Sequence, residues 1–116
     1  MTDHRAELAL GTAQLGMNYG RTNQSGQPDS HEVKLIIDTA LKNGVRLIDT
    51  AQAYGVAEDA TGKVLATHER DDFAITTKLH PNIGETLNDI GFIKNAIDAS
   101  FKHLNVDRID NFLLHR

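Results

Sequence analysis

The sequence contains no cysteine, only two prolines and no apolar run approaching the ~20 residues that a membrane-spanning helix needs. The first absence excludes disulfides, cysteine zinc sites and a thiol nucleophile together. The scarcity of proline, with 40% hydrophobic and 24% charged residues, describes a globular chain rather than a disordered one. Basic residues are outnumbered as well: 12 Lys and Arg against 16 Asp and Glu leave a formal charge of −4. Such a balance lacks the basic face of a nucleic-acid-binding domain and the polybasic patch of a membrane-surface protein. Met1 to Arg5 have no apolar core, so no signal peptide is expected. The plain expectation is a cytoplasmic protein, with neither nucleic acid nor membrane as a partner.

What is present is an alternation of two hydrophobic periods. At 116 residues the chain is long enough for one ordinary domain. Residues 8–11 form a short apolar run that breaks into Gly11-Thr12-Ala13-Gln14-Leu15-Gly16, and residues 17–29 carry loop chemistry. Ser30, preceded by Asp29, is the expected N-cap of a helix over 31–43, with Val33, Ile36, Ile37, Ala40 and Leu41 on one face. Asn43-Gly44 stops it, with Gly44 suited to a left-handed position. A strand over 45–49 follows, then a helix over 57–67 with Ala57, Ala60, Val64 and Leu65 as its buried stripe. Gly62 inside that helix suggests a close approach to the sheet. His68 belongs to a polar link and is expected in solvent. Residues 73–78 read as a third strand, His80 to Gly84 as a loop, 90–104 as a third helix and 110–115 as a fourth strand. The order β-α-β-α-β-α-β predicts a parallel sheet with right-handed crossovers.

Three consecutive strands end in ionisable residues, Asp49, Lys78 and His115, and Tyr54 follows Asp49 in its loop. Each has an ordinary structural alternative. Asp49 also suits an N-cap, Lys78 a solvated loop, Tyr54 a packing aromatic and His115 a frayed end. Four such coincidences at the same end of one sheet favour a joint role, because the carboxyl ends of parallel strands are where such folds place their chemistry. A phenol is a poor acid near neutrality, and a nearby ammonium stabilises its phenolate. An aspartate keeps that lysine charged and fixed, and a neutral histidine can hydrogen-bond a bound carbonyl oxygen. The set suits proton donation to a carbonyl. Hydride must come from elsewhere, from a nicotinamide or a flavin, because no side chain supplies it.

The sequence resembles the N-terminal part of the aldo-keto reductases. Leu10-Gly11-Thr12-Ala13 resembles that family's first barrel strand, and Gly44 to Tyr54-Gly55, with Asp49-Thr50-Ala51, resembles its signature. Thr76-Thr77-Lys78 and Leu113-Leu114-His115 resemble two further strands that end in catalytic residues. The resemblance implies a (β/α)8 TIM-barrel fold, of which residues 1–116 would be the N-terminal half. It implies reduction of an aldehyde or ketone to an alcohol with NADPH and without a metal. By the same resemblance Tyr54 would be the general acid, Lys78 would assist its loss of a proton, Asp49 would pair with Lys78 and His115 would orient the carbonyl. Gly11 and Thr12 would lie near the nicotinamide, and Asp49 near its ribose. Glu58 matches a glutamate common in the family's helix after the tyrosine.

A complete barrel of this class needs ~250 residues, and four strands are half the number. The expectation is therefore a fragment inactive alone. The alternative is a non-catalytic half-barrel that closes by self-association through exposed strand edges. A metal-dependent hydrolase using Asp49, His80 and His115 is a third reading, without a ligand spacing to support it.

Overall fold

The computed structural model describes residues 7–18, 20, 26–81 and 88–115. The loop readings at 19, 21–25 and 82–87, the N-terminal residues 1–6 and Arg116 lie outside them. Four strands, β1 (Ala9–Gly11), β2 (Leu47–Asp49), β3 (Ala74–Leu79) and β4 (Asn111–Leu114), form one sheet in the order β1-β2-β3-β4. All three pairings are parallel. Helices α1 (Ala13–Gly16), α2 (Ser30–Lys42), α3 (Ala57–Leu65) and α4 (Ile90–Leu104) make the connections, with a 3-10 turn at Arg70–Asp72. The short α1 and the 3-10 turn carry too few residues for a helical period to show in the sequence.

The period of two sorts β3 cleanly. Ile75, Thr77 and Leu79 are buried, whereas Ala74, Thr76 and Lys78 are half-buried on the opposite face. Ile48 and Ile75 join Val33 and Ile37 of α2, Val64 and Leu65 of α3 and Leu104 of α4 in one apolar core. Helices therefore cover one face of the sheet, and the other carries Asp49 and Lys78.

Element ends differ from the pattern reading where side chains or turns take over backbone bonds. Asp29, not Ser30, caps α2, its carboxylate accepting from the Glu32 amide at 2.8 Å. Ser30 is thereby the first helical residue. Val45 is spent on the helix end, donating to the Ala40 carbonyl at 3.0 Å, so β2 begins only at Leu47. Gly44 takes φ +92, as its place after α2 requires. The Thr67 hydroxyl bonds the Val64 carbonyl at 2.7 Å, ending α3 at Leu65. His68 is not merely solvated: its ring is 24% exposed, and Nε2 lies 2.7 Å from Asp38 of α2. Gly62 faces α4 rather than the sheet, since a Cβ there would lie 2.6 Å from the carbonyl oxygens of His103 and Leu104.

Candidate active site

Register brings the ionisable residues together. Asp49 is paired with Thr76, so Lys78, two residues on, leaves the same face of the sheet one pleat higher. The ladder continues past β2: the Thr50 amide donates to the Thr76 carbonyl at 2.8 Å, and that of Gln52 to the Lys78 carbonyl at 3.1 Å. Across this short gap the Lys78 ammonium donates to Asp49 Oδ1 at 2.8 Å and to the Thr50 carbonyl at 3.0 Å. Lys78 is 15% exposed and Asp49 39%, so the pair is half-withdrawn from water.

Tyr54 hangs over this pair. The loop between β2 and α3 turns back through the Tyr54 amide, which donates to the Ala51 carbonyl at 3.2 Å, and the Ala57 amide donates to the Tyr54 carbonyl at 3.0 Å. The Lys78 nitrogen sits 5.2 Å from the centre of the Tyr54 ring. From β4, the imidazole of His115 meets the same ring edge to face, with centroids 5.6 Å apart and planes at 88°. His115 Nδ1 is buried and has no hydrogen-bond partner among the described residues. A phenol, an ammonium held by a carboxylate and an imidazole thus share one patch at the carboxyl ends of three strands.

The end of β1 contributes a floor. Thr12 is fully buried, and both its amide (3.1 Å) and its hydroxyl (3.0 Å) donate to the Asp49 carbonyl. Its side chain therefore fixes Asp49 rather than reaching outward. Gly11 pairs with Asp49 and has open space where a Cβ would stand, with no atom within 4 Å. That opening, and the Asp49 oxygen that Lys78 does not take, are compatible with the nicotinamide and ribose of a dinucleotide.

Other polar residues have different positions. His80 lies with Gln52, Glu58 and His103 around a cleft of about 450 Å³ between α3 and α4. Asp49, His80 and His115 do not converge: among the described residues no three His, Asp or Glu side chains form a group able to hold a metal ion. A larger hollow, about 630 Å³, opens at the amino ends of the strands beside Phe73 and Phe101, away from Tyr54. No described helix is long and apolar enough to cross a membrane.

Contacts made by three residues around the site, Glu58, Gln52 and Val56, were not visible in the sequence. Glu58 is 4% exposed and accepts from the Thr77 hydroxyl at 2.7 Å. The Gln52 amide group donates to the Ala96 carbonyl and the Ser100 hydroxyl, both at 2.8 Å, while its oxygen accepts from the His80 amide at 3.0 Å. The Val56 amide donates to the Gly16 carbonyl at 3.1 Å, tying the tyrosine loop to α1. The one available signal was Glu58, a carboxylate beside Ala57 on the buried stripe of α3.

A parallel sheet covered by helices on one face, with its polar residues gathered at the carboxyl ends of the strands, is a partial (β/α)8 barrel. The Aldo/keto reductase family model matches residues 7–116, and the chain belongs to that family. An aldo-keto reductase of Mycolicibacterium smegmatis is 37% identical over 94 residues, covering 78% of this chain and 31% of that protein. One from a Mycobacterium species is 32% identical over 124 residues, covering 99% of this chain and 41% of its own length. The crystal structure of a Bombyx mori aldo-keto reductase in complex with NADP superposes with a TM-score of 0.72 at 29% identity, covering 93% of this chain and 33% of that one. The chain thus spans well under half the length of these relatives.

Proposed function

We propose that residues 1–116 form the first half of the barrel of a cytoplasmic, NADPH-dependent reductase that converts an aldehyde or ketone to an alcohol. The observation that carries this reading is the Lys78–Asp49 pair at 2.8 Å beside the Tyr54 ring, with the His115 imidazole edge to face with the same ring. When bound, the reduced nicotinamide supplies hydride to the carbonyl carbon. Gly11 and Asp49 would hold its nicotinamide end, Asp49 through the oxygen that Lys78 does not take, and Thr12 would help by fixing Asp49.

Tyr54 gives its phenolic proton to the carbonyl oxygen, so the carbon gains hydride, the oxygen gains a proton and an alcohol leaves. The Lys78 ammonium faces the phenolate that remains and stabilises it until solvent returns the proton. Asp49 and the Thr50 carbonyl hold that ammonium beside the ring. His115 hydrogen-bonds the carbonyl oxygen and aligns it with the phenol. Residues that grip the adenosine end of the dinucleotide are not expected in these strands, so the 116 residues alone are expected to be inactive.

The test uses the complete gene product with NADPH and 4-nitrobenzaldehyde as the carbonyl. Tyr54→Phe should abolish reduction while the NADPH dissociation constant, read by fluorescence titration, stays within about twofold. Unchanged turnover would remove Tyr54 as the acid. A second reading has its own observation: Leu8, Leu113 and Leu114 on or beside the outer strands are 71%, 47% and 54% exposed. Apolar surface there suits a non-catalytic half-barrel that pairs with another copy. Sedimentation of the 116-residue chain as a strict monomer with a cooperative melt would exclude it.

A further inference from the structure

Thr77 and Glu58 are polar residues in an apolar layer. Thr77 lies between Ile75 and Leu79 on the helix-facing side of β3, and all three are buried. Glu58 enters the same layer from the first turn of α3. A carboxylate there loses its water, which costs several kcal/mol unless protein groups replace it. Two groups do so in part: the Thr77 hydroxyl at 2.7 Å and the amino end of α3, whose dipole favours an anion. His103 Nδ1, in the last turn of α4, stands 3.7 Å from the other oxygen, beyond hydrogen-bond reach. For stability alone an apolar pair of the same shape would serve as well or better. The polar pair therefore asks for a different explanation, and its position supplies one.

We infer that Glu58 is a positioning residue for Lys78, acting through the Thr77 hydroxyl. This rests on the assignment of Lys78 to the proton-donating site. Thr77 and Lys78 are consecutive, so their side chains leave β3 on opposite faces. Anchoring the Thr77 side chain to α3 ties the strand to the helix layer at the residue before Lys78, and small shifts of the strand against that layer change where the ammonium lies. The ammonium has to meet Asp49 Oδ1 at 2.8 Å and the Thr50 carbonyl at 3.0 Å while lying 5.2 Å from the centre of the Tyr54 ring. On the main chain the Gln52 amide holds the Lys78 carbonyl and β4 pairs along the other edge, which seats the strand in the sheet but does not tie it to the helix layer. Glu58 also sits in the first turn of the helix that follows the Tyr54 loop. One carboxylate thus links the acid-bearing loop to the strand that carries its ammonium.

The experiment measures reduction of 4-nitrobenzaldehyde by NADPH with the complete gene product and five single variants. Glu58→Leu and Thr77→Val should each lower kcat by roughly 10- to 100-fold, the scale of a small misplacement at a reacting centre. The NADPH dissociation constant should stay within about twofold, since the loss lies in the chemical step. Glu58→Gln and Thr77→Ser keep an acceptor and a donor and should restore most of kcat. The Glu58→Leu/Thr77→Val double variant should fall no further than either single one, because both break the same link. Folded Glu58→Leu and Thr77→Val proteins with wild-type kcat would overturn the inference, as would losses that multiply in the double variant. If Glu58→Leu does not fold, Thr77→Val against Thr77→Ser decides alone, because valine preserves the side chain's shape. Lys78→Met separates the two levels. Its expected loss of turnover upholds the site, whereas retained turnover would overturn the site assignment and this link together.

Discussion

Gly16 and Gly55 meet backbone to backbone. A Cβ on Gly16 would lie 2.1 Å from the Tyr54 carbonyl oxygen and 2.2 Å from the Ala57 nitrogen, and one on Gly55 would lie 2.3 Å from the Gly16 carbonyl oxygen. Gly55 also holds φ +58, a conformation that glycine adopts at no steric cost. Main-chain atoms on both sides leave no flexible side chain to give way. The crossing therefore sets how far the tyrosine loop stands from α1.

Gly16→Ala is accordingly expected to move Tyr54 rather than be absorbed. The cost should be about 1–3 kcal/mol of stability, as for overpacked cores. Carbonyl turnover should fall by more than that destabilisation explains. Urea melts and turnover assays of the complete gene product check the two separately. A variant with wild-type values in both would mean that the contact is not as tight as its geometry.

Gly62→Ala sets two effects against each other. Alanine is the better helix former by about 1 kcal/mol. Its methyl group would, however, stand 2.6 Å from two carbonyl oxygens at the end of α4. Overpacking of this kind costs typically 1–3 kcal/mol, about as much as the propensity gain or more, and the backbone on the far side decides for the upper end. The expected net is destabilisation, read as a lower urea midpoint. A rise would show that α4 can retreat.

Asp49→Asn should separate function from stability. The pair with Lys78 is half-exposed, so its contribution to folding is small, on the order of 1 kcal/mol or less. The ammonium also keeps the Thr50 carbonyl as a partner. Loss of the charge that fixes Lys78 beneath Tyr54 should nevertheless reduce kcat at least ~10-fold. Turnover within about twofold of wild type would argue that Thr50 alone positions the lysine.

Two carboxylates predict the acid limb of stability. At Asp38, hydrogen bonds from Lys34 first and His68 second hold the carboxyl below its ordinary value of 3.8. At Asp110, burial pushes the other way but is outweighed by hydrogen bonds from Arg70 and the Ile75 amide, and the net is again a lowered value. A carboxyl that is more acidic when folded takes up protons later than the unfolded chain does. Its contribution is therefore complete above pH ~4 and is lost as pH falls through the folded value. Asp110→Asn should flatten the dependence of the urea midpoint on pH as the pH falls below about 4. An unchanged slope would mean that the Arg70 and Ile75 contacts do not persist in solution.

Local pattern was enough to place most of what lies along the chain. The spacing of Val33, Ile37, Val64 and Leu65 determined two amphipathic helices, and the run ending at Asp49 a buried strand, because side-chain direction repeats every 3.6 or 2 residues whatever the surroundings. Three ionisable residues at strand ends, and a tyrosine in the loop after one of them, were legible for the same reason: a parallel sheet sends all its carboxyl ends to one side. Distances across the chain were not legible. That Asp49 meets Lys78 follows from a register of Asp49 opposite Thr76, which the sequence does not state. The bond from Thr77 to Glu58, the fold of Gln52 onto α4 and the crossing of Gly16 with Gly55 depend on how helices settle against the sheet. His68 read as surface because its partner, Asp38, lies 30 residues earlier, on α2. Periodicity tells each side chain which way to face, and only packing in three dimensions decides what it meets there.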